Sequence, residues 1–241
     1  MVPAPGAAYS DKMAPFVFVL GMHRSGTSCL AGALEICGLF LGNVRRTGRY
    51  NAKGYFELAD LVNLHDQILG LNRGTWHNPP TPVQIHPHQM NSLRQFALAL
   101  SQQRPCGVKD PRLLFLLDGW QEIVKPPHAF VGTFRHPVAV AQSLARRNGV
   151  KEEAAYDLWI KYNQKLIELH RQNSFPIIEY RMDSVSSYCE AVSDVATSIG
   201  LSPDLSTLRR FVDSKLAHHA AGDEAVPVQC QELYTLSLIH I

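Results

Sequence analysis

The chain has 241 residues, 46% of them hydrophobic and 9% aromatic, with 23 Lys and Arg against 21 Asp and Glu. That apolar share excludes a disordered chain, a collagen-like repeat and a small disulfide scaffold, and the length suits one domain built on a shared core. A net charge of +2 argues against a nucleic-acid surface, so any basic site must be local. The longest apolar runs, Phe16–Leu20 and Leu113–Leu117, fall far short of the roughly 18 residues of a membrane span. The opening stretch MVPAPGAAYSDKMAP lacks the apolar core of a secretory leader. Five cysteines (29, 37, 106, 189 and 230) show no CxxC spacing, as expected of reduced thiols in a cytoplasmic protein.

In chain order, residues 1–14 are small and Pro- and Ala-bearing and are expected to be a flexible lead-in to a single domain over 15–233. FVFVLG (16–21) has the pattern of a strand covered on both faces. GMHRSGTS follows, then CLAGALEICG, whose Leu30, Leu34 and Cys37 recur at helical spacing before Gly38. Residues 42–56 read as a long basic loop carrying Arg45, Arg46, Arg49 and Lys53. ELADLVNLHDQILG (57–70) is an amphipathic helix, and the four prolines of HNPPTPVQIHPH (77–88) exclude regular structure.

A helix over about 88–102 leads to a short strand, CGVK (106–109). AFVGTFR (129–135) is the third strand, and VAVAQSLARR the helix after it, with Pro137 in its first turn. A long helix over 152–172 precedes the fourth strand, FPIIEYR (175–181). Asp183 or Ser184 caps a helix that Gly200 ends, and PDLSTLRRFVDSKLAHH forms another. Alternating strands and helices predict an α/β, three-layer fold with a mostly parallel central sheet flanked by helices. The terminal LSLIHI shows no helix face and matches the translation of a common sequencing adapter, so residues 234–241 are expected to be a non-native or truncated tail.

The sharpest motif is Gly21-Met22-His23-Arg24-Ser25-Gly26-Thr27-Ser28, set between a buried strand and a helix. Its GxxxxG spacing is that of a P-loop, with Thr-Ser where a nucleotide-hydrolysing loop has Lys-Ser/Thr. Glycines permit a tight turn, and successive N–H groups converge on an anion at the helix's positive end. Thr27 and Ser28 add hydroxyl donors, and Arg24 offers a bidentate cation in place of the missing lysine. Arg135 at a strand's carboxyl end, eight residues before Ser143, makes a second phosphate grip, because ligands of parallel sheets collect at those ends.

GMHRSGTS, KDPR (109–112) and RHPVAVAQS (135–143), in this order, resemble the sulfotransferases that use 3′-phosphoadenosine 5′-phosphosulfate (PAPS), especially bacterial members sharing GMHRSGTS and KGYFE (53–57). The resemblance implies that Arg24, Ser25, Gly26, Thr27 and Ser28 bind the 5′-phosphosulfate, and that Arg135 and Ser143 bind the 3′-phosphate. It implies PAPS as co-substrate, no metal, and a small-molecule or carbohydrate hydroxyl or amine as acceptor. Lys109 resembles a lysine that stabilises the sulfuryl group in protein-tyrosine sulfotransferases; its other reading is a strand-end Lys paired with Asp110. Arg112 holds either Asp110 or the nucleotide. Arg181 and Met182 stand where the family has an acidic pair, and a Gly-rich RKG-type segment is absent.

Candidates for the general base are His23, Glu57, Asp60 and His65. Glu57 is preferred, because the related tyrosine enzymes place a carboxylate shortly after their loop; its other reading is a helix-opening Glu favoured by the dipole. His77, His86, His88, His218 and His219 lack metal-ligand spacing. Trp76 and Trp159 suit either a stacking role or the core, and FVDSKLAHH suits a flap over the nucleotide. The competing functions are a P-loop kinase or NTPase and a silent nucleotide-binding module. The first lacks both the loop lysine and an apolar run ending in a Walker-B Asp. Oligomeric state is not legible.

Overall fold

The computed structural model describes residues 14–47, 54–181, 183–212 and 226–239. Four strands, β1 (Phe16–Leu20), β2 (Cys106–Lys109), β3 (His128–Phe134) and β4 (Ile177–Glu179), form one sheet in the order β2-β1-β3-β4. Every pairing is parallel: Phe16 lies opposite Cys106 on one side and His128 on the other, and Gly132 opposite Ile177. β1 is central and wholly buried, which accounts for an apolar run with no polar alternation.

Helices cover both faces. Phe16, Phe18 and Leu20 point into one core, shared with α2 (Ala59–Leu71), α3 (Pro87–Leu100), α4 (Leu113–Ile123), α5 (Pro137–Asn148) and α6 (Glu152–Asn173). Val17 and Val19 point into the other, against α1 (Thr27–Ile36), α7 (Val185–Ser198) and α8 (Leu205–Phe211). The expected three-layer α/β architecture with a parallel sheet is the observed one. The chain leaves β1 towards one face and adjacent β3 towards the other, so the crevice between their carboxyl ends is the topological switch point where such sheets bind ligands.

One element carried no expectation, and two local expectations, the missing helix face of LSLIHI and the length of the helix after Asp204, are corrected. The run Leu113–Leu117 is the start of α4, which buries Leu113, Leu114, Leu116, Leu117 and Trp120, so apolar residues on more than one side erase the helical period. Residues 228–239 form α9, including the part of LSLIHI described here. Its Cys230, Leu233, Tyr234 and Ser237 recur at helical spacing; Cys230 and Ser237 are buried, and Leu233 and Tyr234 pack on the first core. The helix after Asp204 runs to Phe211, and residues 213–219 of the proposed flap lie outside the described residues. Ser184 caps α7, its hydroxyl accepting from the Ser187 amide.

Candidate active site

The loop after β1 combines three positive φ values: 151° at Gly21, 68° at Arg24 and 87° at Gly26. A Cβ on Gly21 would meet the Thr133 carbonyl oxygen at 2.5 Å, and one on Gly26 the Tyr180 ring at 2.2 Å. The Thr133 hydroxyl donates to the Ser25 carbonyl at 3.2 Å and ties the loop to β3. Gly26 is the N-cap of α1 and offers no side chain to its first-turn amides, which leaves them for an anion. The Ser25 hydroxyl is buried and has no partner among the described residues.

Arg24 and Ser143, 119 residues apart, meet directly: the guanidinium Nε donates to Oγ at 2.7 Å. Arg135 reaches the same place, donating to the Arg24 carbonyl at 3.4 Å while its guanidinium stacks on Tyr180, 5.3 Å from the ring centroid. Trp159 is fully buried in the core and donates its indole N–H to the Arg135 carbonyl at 2.9 Å, fixing that corner. Burial, together with the guanidiniums of Arg147 and Arg135, pulls the Arg24 pKa below its ordinary value. Burial does the same to Arg135. Guanidiniums crowded together away from water repel one another, so an anion placed among them would be strongly stabilised.

No sequence motif marks Arg147. It stands one turn beyond Ser143 on the same face of α5, with its guanidinium 5.5 Å from the Tyr55 ring centroid. The i, i+4 spacing from Ser143 was the available signal.

Lys109 ends β2 and is 3% exposed. Its ammonium donates to the Glu57 carboxylate at 2.6 Å, the Tyr55 carbonyl at 2.7 Å and the Ser28 hydroxyl at 3.1 Å. The alternative pairing with Asp110 is therefore not adopted; successive residues at a strand end point to opposite sides, and Asp110 faces away. Glu57 is likewise not a helix-opening carboxylate. It lies before the N-cap Leu58 and is held by Lys109 instead.

Asp110 and Arg112 belong to a buried network. The Arg112 guanidinium donates to Asp66 at 2.6 and 2.9 Å and to Asp110 at 3.0 Å, the first of its two sequence readings. The other Asp110 oxygen takes His65 Nδ1 at 2.8 Å, and Trp120 donates its indole N–H to His65 Nε2 at 3.1 Å. An indole N–H only donates, so Nε2 is an acceptor and Nδ1 carries the proton. Both nitrogens of His65 are thus occupied, which removes it as a general base. Burial pushes the Asp110 carboxyl up, but His65 and the Arg112 guanidinium outweigh it and hold the carboxyl well below the usual carboxylate range.

His23 packs its ring 4.7 Å from Trp76 and 5.8 Å from Tyr162, and its Nε2 is buried with no hydrogen-bond partner among the described residues. Burial, then the charges of Arg112 and Lys109, push its pKa well below the ordinary histidine value, so the ring is neutral at pH 7. Asp60 is exposed in the first turn of α2. Arg46 pairs with Glu35 at 2.6 Å, Arg45 lies over Tyr55, and Arg49 and Lys53 fall outside the described residues. Arg181 pairs with Asp183 and Glu179 at the surface; Met182, His218 and His219 are not described. Among the described residues no group of three or more His, Cys, Asp or Glu is placed to hold a metal ion.

No protein-family model and no curated protein sequence matches the chain. Solved structures do. The sulfotransferase domain from the Synechococcus PCC 7002 olefin synthase superposes with a TM-score of 0.60 at 19% identity, over 95% of this chain and 96% of that one. The sulfotransferase domain from the curacin biosynthetic pathway superposes with a TM-score of 0.54 at 15% identity, over 95% and 99%. The fold is that of sulfotransferase domains. Among the described residues no helix is long and apolar enough to cross a membrane.

Proposed function

We propose that the protein is a PAPS-dependent sulfotransferase, moving a sulfuryl group to a hydroxyl or amine of a small-molecule or carbohydrate acceptor. The observation that carries this reading is the convergence of Lys109 Nζ, Ser28 Oγ and Glu57 on one end of the loop, with the Arg24–Ser143 contact and Arg135 on the other. Lys109 at one end and Arg135 with Ser143 at the other suit a ligand with charge at both ends, a 5′-phosphosulfate and a 3′-phosphate, with Arg24, in the loop itself, reaching the 5′ group. Five cysteines with no disulfide fit a reducing, cytoplasmic setting.

Transfer is in-line at sulfur: a bond forms from the acceptor oxygen to sulfur as the bond from sulfur to the phosphate oxygen breaks. Negative charge then grows on that leaving oxygen. Arg24 and the amides at the start of α1 meet the charge there, and Lys109 meets the sulfuryl oxygens, so these groups bind the transition state more tightly than the ground state. Glu57, held beside Lys109, takes the acceptor's proton. Ser25, whose hydroxyl has no partner among the described residues, and Thr27 complete the 5′ grip. Arg112 acts indirectly, by fixing Asp110 and through it the turn that follows Lys109.

The test is transfer of radiolabelled sulfuryl from PAPS to an acceptor panel with a chelator present. Labelled product made by the wild type and lost in the Lys109→Met variant supports the reading. Magnesium-dependent release of phosphate from ATP, with no label transferred, would replace it with a kinase or NTPase.

A further inference from the structure

We propose that Trp76 and His23 form the acceptor platform of this site, and that the acceptor is the hydroxyl of a pyranoside ring seated against the Trp76 indole. The inference rests on the sulfotransferase reading and adds the substrate class. His23 directly precedes Arg24 in the loop after β1, so the loop that carries the proposed 5′ grip also carries the ring that meets Trp76. Trp76 is half-buried: it packs against the first core, its ring lies 4.7 Å from His23 at a 50° tilt and edge-on to His77 at 5.2 Å, and the rest of the indole is open. Its backbone is fixed before any ligand arrives: buried Tyr162 donates its hydroxyl to the Trp76 carbonyl at 2.7 Å, and Thr75 and Asn78 exchange backbone hydrogen bonds at 3.1 and 3.2 Å around it. A pre-set aromatic surface loses little entropy on binding.

What surrounds the indole selects the ligand. Thr75, His77 and Asn78 are exposed and polar, and the Thr75 hydroxyl lies 3.2 Å from His77 Nδ1. A phenol or a long-chain alcohol would bring apolar edges against these groups. A sugar offers a C–H face for the indole and hydroxyls for the polar rim. His23 Nε2, buried with no partner among the described residues, calls for a group that both donates and accepts, and a hydroxyl pairs with either imidazole tautomer.

Two measurements test this. Trp120 and Trp159 are fully buried, so the part of the fluorescence change on adding methyl hexopyranosides that disappears in Trp76→Phe reports Trp76, and a change undiminished in that variant counts against the platform. In transfer assays, methyl hexopyranosides should be better acceptors than phenol or octanol. Trp76→Ala should raise the pyranoside KM about tenfold with adenosine 3′,5′-bisphosphate affinity unchanged, and Trp76→Tyr should restore most of it. Normal bisphosphate binding with an unaltered KM in Trp76→Ala, or a preference for phenol or octanol, overturns the platform alone. Failure of the wild type to bind the bisphosphate overturns the sulfotransferase reading and the platform with it.

Discussion

Replacing Gly26 by alanine separates two costs that the anion loop imposes on its sequence. At φ 87° an L-residue meets its own carbonyl, which costs about 1–2 kcal/mol. The added methyl would also stand 2.2 Å from Tyr180 Cγ and 2.6 Å from its Cβ. Because the Cβ itself is too close, turning the ring does not relieve the contact, and overpacking of this kind costs about 1–3 kcal/mol. The sum, about 2–5 kcal/mol, corresponds to a fall in melting temperature of roughly 4–20 °C for a chain of this size. Tyr180 stacks on Arg135, so bisphosphate affinity should fall too. The assay is urea unfolding of Gly26→Ala, Tyr180→Ala and the double variant. Alanine at 180 removes the ring but keeps a Cβ 2.6 Å from the added methyl, so it relieves only part of the steric cost, and the double variant should be about 1–2 kcal/mol more stable than the sum of the single effects predicts. Strict additivity would refute the clash.

Glu57→Gln should lower turnover at least ~100-fold with little change in bisphosphate binding, and Lys109→Met should lower it by a similar factor; single-turnover transfer kinetics check both, and an active Glu57→Gln enzyme removes the carboxylate from the chemistry. Asp110→Asn takes the charge from a buried carboxylate that faces Arg112 and His65, and should cost about 3–5 kcal/mol in urea unfolding, with turnover falling alongside because the turn after Lys109 loosens. Burial lowers the pKa values of His23, His128 and His136, so the unfolded chain takes up their protons first. Their stability is present above about pH 6.5 and is lost as pH falls from there towards the folded values. Burial raises Glu179, which acts with the opposite sign at more acid pH. The urea midpoint should therefore drop between pH 7.5 and 5.5, and a flat or rising midpoint contradicts the neutral His23.

All four strands and the glycine turn after β1 were legible because each is marked by local pattern: a two-sided apolar run for β1, Gly and Pro punctuation elsewhere. α4 and α9 were not. LLFLL has no polar gap from which to read a period, and 228–239 has its buried residues diluted by polar ones. In the site, the residue types of the loop, Arg135 and Ser143 were readable, but their partners were not. That Arg24 bonds Ser143 across 119 residues, or that Lys109 turns to Glu57 rather than to its neighbour Asp110, follows from how parallel strands end beside one another. Arg147 and Tyr180 carry no motif. α5 brings Arg147 over Tyr55 and close enough to Arg24 to act on its charge, and the residue after β4 brings Tyr180 against Gly26.

Titration calorimetry with adenosine 3′,5′-bisphosphate in the presence of a chelator tests the central claim most directly. Binding in the micromolar range, weakened by Arg135→Ala, while adenosine 5′-phosphosulfate affinity hardly changes in that variant, is the predicted result. No bisphosphate binding, with ATP bound only when magnesium is supplied, would contradict it.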